Sequence, residues 1–226
     1  MISDMTKEVL HVYGEAFVEA HRAAPGGLSL EVGTRQGGSA LLFLTLLNRI
    51  YEGGIKPCLF TVDPYGYKPY DSGIPGVEPA PIYGDPDYLE MKQHLAPFAF
   101  HSHFKIESLD FFDRMYNCTY WHPGEEIYKS KTQEGDFALG QRSRMGNLTF
   151  CLLDGDHNYR TIASELGHLW GGRNALTGSR INPWMNPKGT VCVDNIDCDP
   201  KTKPFIEANF NAVFGPTWAI VKGMKA

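Results

Sequence analysis

The chain has no CxxC pair, no dinucleotide-type GxGxxG, no polybasic cluster and no apolar run long enough to cross a bilayer. Each absence closes a class. The five cysteines (Cys58, Cys118, Cys151, Cys192, Cys198) are odd in number. Cys58, Cys151 and Cys192 lie in or beside apolar runs, where a thiol behaves as a small hydrophobe. A reduced, cytoplasmic compartment is expected. Without a secretory route the sequons at Asn117 and Asn147 carry no meaning. The net charge is −5 and the basic residues are scattered, "RSR" at 142–144 being the densest, so nucleic acid is not an expected partner. The longest apolar block, "ALLFLTLL" at 40–47, is too short for a membrane span. No membrane association is expected. The opening residues place Met5, Val9, Val12, Tyr13, Ala16, Phe17 and Ala20 on one helical face, which is not a leader pattern.

What is present is alternation. "LSLEVG" (28–33), "KPCLFTVDP" (56–64), "HSHFKIES" (101–108), "LTFCLLD" (148–154) and "GTVCVDN" (189–195) read as strands. Between them, helices open at Gly37-Gly38-Ser39, at Asp85-Pro86 with Asp as cap, at "LDFFDRMY" and at "NYRTIASELGHLW". "NAVFGPTWAIVKG" reads as two strands joined at Gly215-Pro216. The pattern predicts one α/β domain over 1–226, Rossmann-like and doubly wound. Its seven-stranded, mostly parallel sheet should end in an antiparallel hairpin and carry helices on both faces. Residues 64–86, 117–147 and 171–188 have no period and are expected to be loops on the substrate side.

In an open parallel sheet, ligands bind beyond the carboxyl ends of the strands. Here those ends are Glu31-Val-Gly33, Asp63, Glu107-Ser108, Asp154-Gly-Asp156-His157 and Asp194-Asn195. A polar, mostly acidic rim of this kind is not a random surface. The first turn spaces Glu31, Gly33, Gly37 and Ser39 so that backbone can approach a ligand closely. Glu31 would repel a pyrophosphate and attract an amine, which argues against a nicotinamide dinucleotide. Asp63 can accept hydrogen bonds from two ribose hydroxyls. A nucleoside carrying an amine and no phosphate is S-adenosylmethionine.

These residues, with "DGDHNY" and "VDN" following in order, resemble a class I S-adenosylmethionine-dependent methyltransferase. Within that class the chain resembles the metal-dependent small-molecule O-methyltransferases, of the catechol type and the macrolide and aminocoumarin sugar type. The resemblance spans roughly residues 26–63, 100–116, 148–170 and 188–224. It implies that Glu31, Gly33, Thr34, Gly37 and Ser39 surround the methionine moiety, that Asp63 holds the ribose, and that Ser108 lies at the adenine. It also implies that Asp154, at the cofactor's edge, joins Asp194 and Asn195 in binding a divalent metal.

Two carboxylates and an amide oxygen are hard ligands that suit Mg²⁺, or another oxygen-preferring cation, with positions left for water and substrate. The expected reaction is methyl transfer to a hydroxyl of a small molecule, a diol, catechol or sugar. The base is Asp156 or His157. The sugar enzymes place an acid where Asp156 stands and the catechol type places a lysine where His157 stands, and Asp156 is preferred. An alternative keeps the fold without methyl transfer, as a cephalosporin-hydroxylase-like protein or a cofactor-binding accessory. His101 and His103 are read as polar surface, Tyr65, Tyr67, Tyr70 and Trp121 as pocket lining or loop packing, and Asp197 and Asp199 as solvated or capping. A homo-oligomer is left open.

Overall fold

The computed structural model describes residues 5–65, 84–117, 127–129, 147–173, 180–181 and 183–225. Tyr67, Tyr70, Trp121, Cys118 and most of the three long loops lie outside the described residues. The strands form where β-branched and aromatic residues crowd between glycine and proline breaks. They are β1 (Leu28–Val32), β2 (Leu59–Val62), β3 (His101–Phe104), β4 (Ile127–Lys129), β5 (Leu148–Leu153), β6 (Gly172–Arg173), β7 (Arg180–Ile181), β8 (Met185–Val193), β9 (Phe210–Phe214) and β10 (Ala219–Met224). The helices are α1 (Lys7–Ala23), α2 (Gly38–Ile50), α3 (Asp85–Leu95), α4 (Ser108–Asn117), α5 (Tyr159–Trp170) and α6 (Thr202–Asn209).

The main sheet has the order β4-β3-β2-β1-β5-β8-β10-β9. β3, β2, β1, β5 and β8 are mutually parallel, and β10 runs antiparallel between β8 and β9. These are the seven expected strands in a Rossmann-like, doubly wound arrangement. Three-residue β4 adds an antiparallel edge beside β3, and β6 pairs with β7 in a separate ribbon. Both pieces are too short to carry a period, so they are invisible within stretches that look irregular. Chain direction across the sheet reverses between β1 and β5, which makes the carboxyl ends of those two strands the switch point.

Each face has its own core. On one face Tyr13 and Phe17 of α1, Phe43 and Leu44 of α2, and Tyr88 and Met91 of α3 cover Phe150, Leu152 and Cys192. On the other, Phe111, Phe112, Ile162, Leu166 and Ile206 from α4, α5 and α6 cover Val32, Leu153 and Val193. Among the described residues no helix is long and apolar enough to cross a membrane.

Three sequence expectations shift. β3 stops at Phe104, and Ser108 opens α4 instead of ending a strand. The cap of α3 is Gly84, whose N–H donates to Asp87 (3.1 Å), so Asp85 and Pro86 fall one place inside. His101 and His103 are fully buried rather than surface polar. Both rings meet the Thr61 hydroxyl, at 2.9 Å from His101 Nε2 and 2.8 Å from His103 Nδ1, and Tyr65 and Tyr88 pack over His103.

A third buried histidine ties α1 down. His21 Nε2 lies 2.9 Å from Ser29 Oγ at the start of β1, and Nδ1 lies 3.1 Å from Tyr51 Oη beyond α2. Burial lowers its pKa from 6.5 to about 4. An unfolded histidine takes a proton near 6.5, whereas folded His21 refuses it until about 4. Its contribution is therefore complete above 6.5 and is lost as pH falls from 6.5 to about 4. At about 1.4 kcal/mol per unit this is on the order of 3 kcal/mol. His21→Gln is expected to be less stable than wild type at pH 7.5, with the gap closing by about pH 4.5. Paired melting curves across that range test it, and a gap independent of pH contradicts the assignment.

Candidate functional site

Strand register builds the site. Val62, Val32, Leu153 and Val193 form one row across β2, β1, β5 and β8. The next row, at the carboxyl rim, is Asp63, Gly33, Asp154 and Asp194. The ladder continues into it, with Asp63 N to Phe104 O at 3.2 Å, Gly33 N to Val62 O at 2.9 Å, Asp154 N to Val32 O at 2.9 Å and Asp194 N to Leu153 O at 3.0 Å. At about 4.8 Å per strand this places Asp63 and Asp194 about 14 Å apart, with the switch point between them. The position that follows Phe104 at the end of β3 is Lys105, so the expectation that β3 also ends in an acid does not hold: Glu107 is exposed and lies in the turn.

Gly33 is the hinge of the row. Its φ of 86° lies in the left-handed region, and a Cβ there would overlap the backbone of Asp154. The first turn and the end of β5 therefore touch directly. Gly37, with φ 84°, caps α2, and its N–H bonds Thr34 O at 2.8 Å.

Glu31 sits one pleat below the rim and is fully buried. The Ser39 hydroxyl donates to its Oε1, while among the described residues neither Oε2 nor the buried Thr34 Oγ1 has a partner. Burial lifts the Glu31 carboxyl to about 8, with Ser39 pulling it down and Asp63 pushing it up. Asp63 accepts the N–H of Arg35 on Oδ2 (2.9 Å) and of Tyr65 on Oδ1 (3.2 Å). Burial raises its pKa to about 6, against the pull of those backbone donors. Arg35 and Tyr65 both have positive φ, 44° and 40°, and the Tyr65 hydroxyl donates to the Arg35 carbonyl. Non-glycine strain of this kind persists where surrounding contacts hold it, and it concentrates at ligand sites. Tyr65 is thus core packing that latches the first turn to the second.

At the other end Asp154 and Asp194 face each other. Burial first, then the Asp194 charge, push Asp154 well above its usual range, with Glu31 and Asp63 adding to it. Asp194 is buried and accepts the Tyr13 hydroxyl on Oδ1 at 2.7 Å and Asn195 Nδ2 on Oδ2 at 3.3 Å. Asn195 has φ 51° and its Nδ2 lies 3.3 Å from His157 Nε2. Burial lowers the His157 pKa, against the upward pull of Asp194, Asp156 and Asp197, and the ring stays neutral near neutral pH. Asp156 is occupied otherwise: Oδ1 accepts Asn158 N (2.9 Å) and Oδ2 accepts the Thr161 hydroxyl (2.6 Å), which organises the start of α5. Asp199 likewise caps, accepting Tyr159 N and Lys201 N, while Asp197 is exposed.

The structure thus brings together Glu31, Gly33, Thr34, Gly37, Ser39 and Asp63 as one group, and Asp154, Asp194, Asn195 and His157 as a second. Ser108 stands apart, half-buried at the start of α4 and close to Glu165 of α5, a buried carboxyl raised by desolvation to about 8. Sequence reasoning missed Tyr13, Arg35 and Glu165. Tyr13 is indistinguishable in sequence from its apolar neighbours on α1.

Among the described residues no three His, Cys, Asp or Glu side chains converge as a metal cluster. Asp154 and Asp194 nonetheless fit a hard cation: two facing carboxyls and an adjacent amide, whose oxygen and nitrogen exchange by a half-turn, are oxygen donors with no counter-charge among the described residues.

No protein-family model matches the sequence, and no curated protein matches it by sequence. In three dimensions the chain is similar to CalS11, a calicheamicin methyltransferase, at 14% identity and a TM-score of 0.58, over 97% of this chain and 80% of that one. It is also similar to the O-methyltransferase NovP, at 13% identity and a TM-score of 0.50, over 99% of this chain and 83% of that one. At these identities the likeness shows the fold.

Proposed function

We propose that the protein binds S-adenosylmethionine and, with Mg²⁺ or a similar hard cation, transfers its methyl group to a hydroxyl of a small diol, catechol or sugar. One observation carries the reading: Glu31, Asp63, Asp154 and Asp194 gather four buried or half-buried carboxyls around the switch point, with Glu31 Oε2 unpartnered among the described residues. Uncompensated buried acids call for cationic and hydrogen-bond-donating ligands. An α-amine at Glu31 and Thr34, ribose hydroxyls at Asp63 and a divalent cation at Asp154, Asp194 and Asn195 satisfy all of them. The likeness in fold to two methyltransferases supports the same class.

When bound, the cofactor supplies a sulfonium methyl group, and the cation supplies a positive charge that acidifies and orients a hydroxyl. The chain's residues do the rest. Glu31 and Ser39 orient the amine. Asp63, already fixed by two backbone N–H groups, keeps lone pairs on both oxygens for the ribose. His157, neutral and beside Asn195, takes the hydroxyl proton as the carbon–oxygen bond forms and the carbon–sulfur bond breaks. Asp156 is the weaker candidate because both its oxygens hold α5. Ser108, to which the resemblance assigns the adenine, would meet that base from the start of α4.

Calorimetric titration with S-adenosylmethionine and with NAD tests the cofactor class: binding of the first and not the second is expected, and the reverse overturns the reading. Methyl transfer to a panel of hydroxyl compounds, with Mg²⁺ and with EDTA, tests the reaction. Activity undiminished by EDTA removes the metal, and cofactor binding without transfer to any acceptor favours the accessory role.

A further inference from the structure

Helix α1 has two polar anchors at different depths of the sheet. His21 fastens it to Ser29 at the beginning of β1. Tyr13, eight residues earlier, fastens it to Asp194 beyond the end of β8. Eight helical residues rise about 12 Å. The four residues from Ser29 to the Gly33 rim span about 13 Å of strand. The helix therefore runs the depth of the sheet and delivers a phenol to the catalytic rim. Tyr13 is fully buried, and one turn on, Phe17 stacks on Phe43 at 4.8 Å and meets Phe150 edge-on at 4.9 Å, which packs the middle of α1 against α2 and β5.

We infer that Tyr13 is a positioning residue for the cation site, a role that rests on the reading of Asp154, Asp194 and Asn195 as its ligands. Its hydroxyl takes Oδ1 of Asp194 and so fixes the rotamer of that side chain. Oδ2 is then the oxygen left toward Asn195 and the site. Groups that hold a metal-binding carboxylate from behind typically govern affinity by tenfold to a hundredfold. On this account α1 belongs to the functional machinery, and the phenol sets how well the carboxylate is presented before any ligand arrives.

The test uses the full chain and Mn²⁺, with free ion read by electron paramagnetic resonance and melting temperature measured in parallel. Wild type is expected to bind Mn²⁺ and Asp194→Asn to lose it. Tyr13→Phe keeps the ring and removes the hydroxyl; its Mn²⁺ affinity is expected to fall about tenfold to a hundredfold. Phe17→Leu, which loosens the same helix without touching Asp194, is expected to lower the melting temperature and leave the affinity unchanged. If Tyr13→Phe binds Mn²⁺ as tightly as wild type, or if Phe17→Leu loses as much affinity, the positioning role is overturned while the cation site stands. If wild type itself binds no Mn²⁺, the cation site is overturned and Tyr13 with it.

Discussion

Glu31→Gln is expected to weaken S-adenosylmethionine binding by on the order of a hundredfold while stabilising the unliganded protein at pH 8. The binding loss follows from removing the charged partner of an amine in a dry site, which costs about 2–5 kcal/mol where the pair is buried. The gain in stability follows from the same burial. Unfolded, this carboxyl ionises near 4.5; folded, it holds its proton to about 8. Its favourable contribution is complete below 4.5 and is lost as pH rises from 4.5 to about 8, because only the unfolded chain gives up the proton freely. At about 1.4 kcal/mol per unit this approaches 4–5 kcal/mol. Glutamine does not titrate, keeps a hydrogen-bond partner for Ser39, and escapes that loss. Melting temperatures of both proteins from pH 5 to 9, with and without cofactor, measure the two effects. A variant that binds the cofactor normally, or a stability difference that does not grow between pH 5 and 8, contradicts the assignment.

His157→Ala is expected to slow methyl transfer by about 10²–10⁴-fold with cofactor affinity unchanged, the range for loss of a general base. Asp156→Asn is expected to act elsewhere. Its carboxylate holds Asn158 N and the Thr161 hydroxyl, and weakening those bonds costs about 1–2 kcal/mol of stability with a far smaller loss of rate. The contrast decides between them because the two residues are adjacent in sequence but differ in what they touch. Since burial lowers the His157 pKa from 6.5, the acid limb of the wild-type single-turnover rate should fall below pH 6.5 and vanish in His157→Ala. Equal losses of rate in both variants, or an acid limb that survives in His157→Ala, would assign the base wrongly.

Much of this was legible in the sequence, for a physical reason. Asp63, Asp154 and Asp194 each follow an apolar run directly. A buried parallel strand that ends in an acid announces both its length and its rim. Parallel pairing then aligns the acids without further information. β3 was harder to bound, because "HSHFKIES" keeps alternating past Phe104 while the hydrogen-bonded ladder stops there. Its histidines were misplaced because polarity alone suggests exposure; the hydroxyl of Thr61, opposite His103 in the register, is what makes their burial tolerable. The preference for Asp156 over His157 came from family likeness and carried no information on which carboxylate α5 would occupy. Tyr13 reaches Asp194 across 181 positions of sequence, and no local pattern encodes a contact of that range.

The Thr61 hydroxyl has a single proton and two imidazoles to serve. With both rings neutral, it gives that proton to one ring nitrogen and receives one from the other. The two rings must therefore play opposite roles toward it, and because His101 uses Nε2 and His103 uses Nδ1, both are Nδ1–H or both are Nε2–H. Their outward nitrogens, His101 Nδ1 and His103 Nε2, then present one N–H and one bare lone pair to the interior, neither with a partner at hydrogen-bond distance among the described residues. Neither ring can exchange tautomer alone; turning one reverses the hydroxyl and obliges the other to follow. The pair of strands beneath Asp63 is thus a two-position element with a fixed proton count, and its imidazole ¹⁵N signals should change together or not at all.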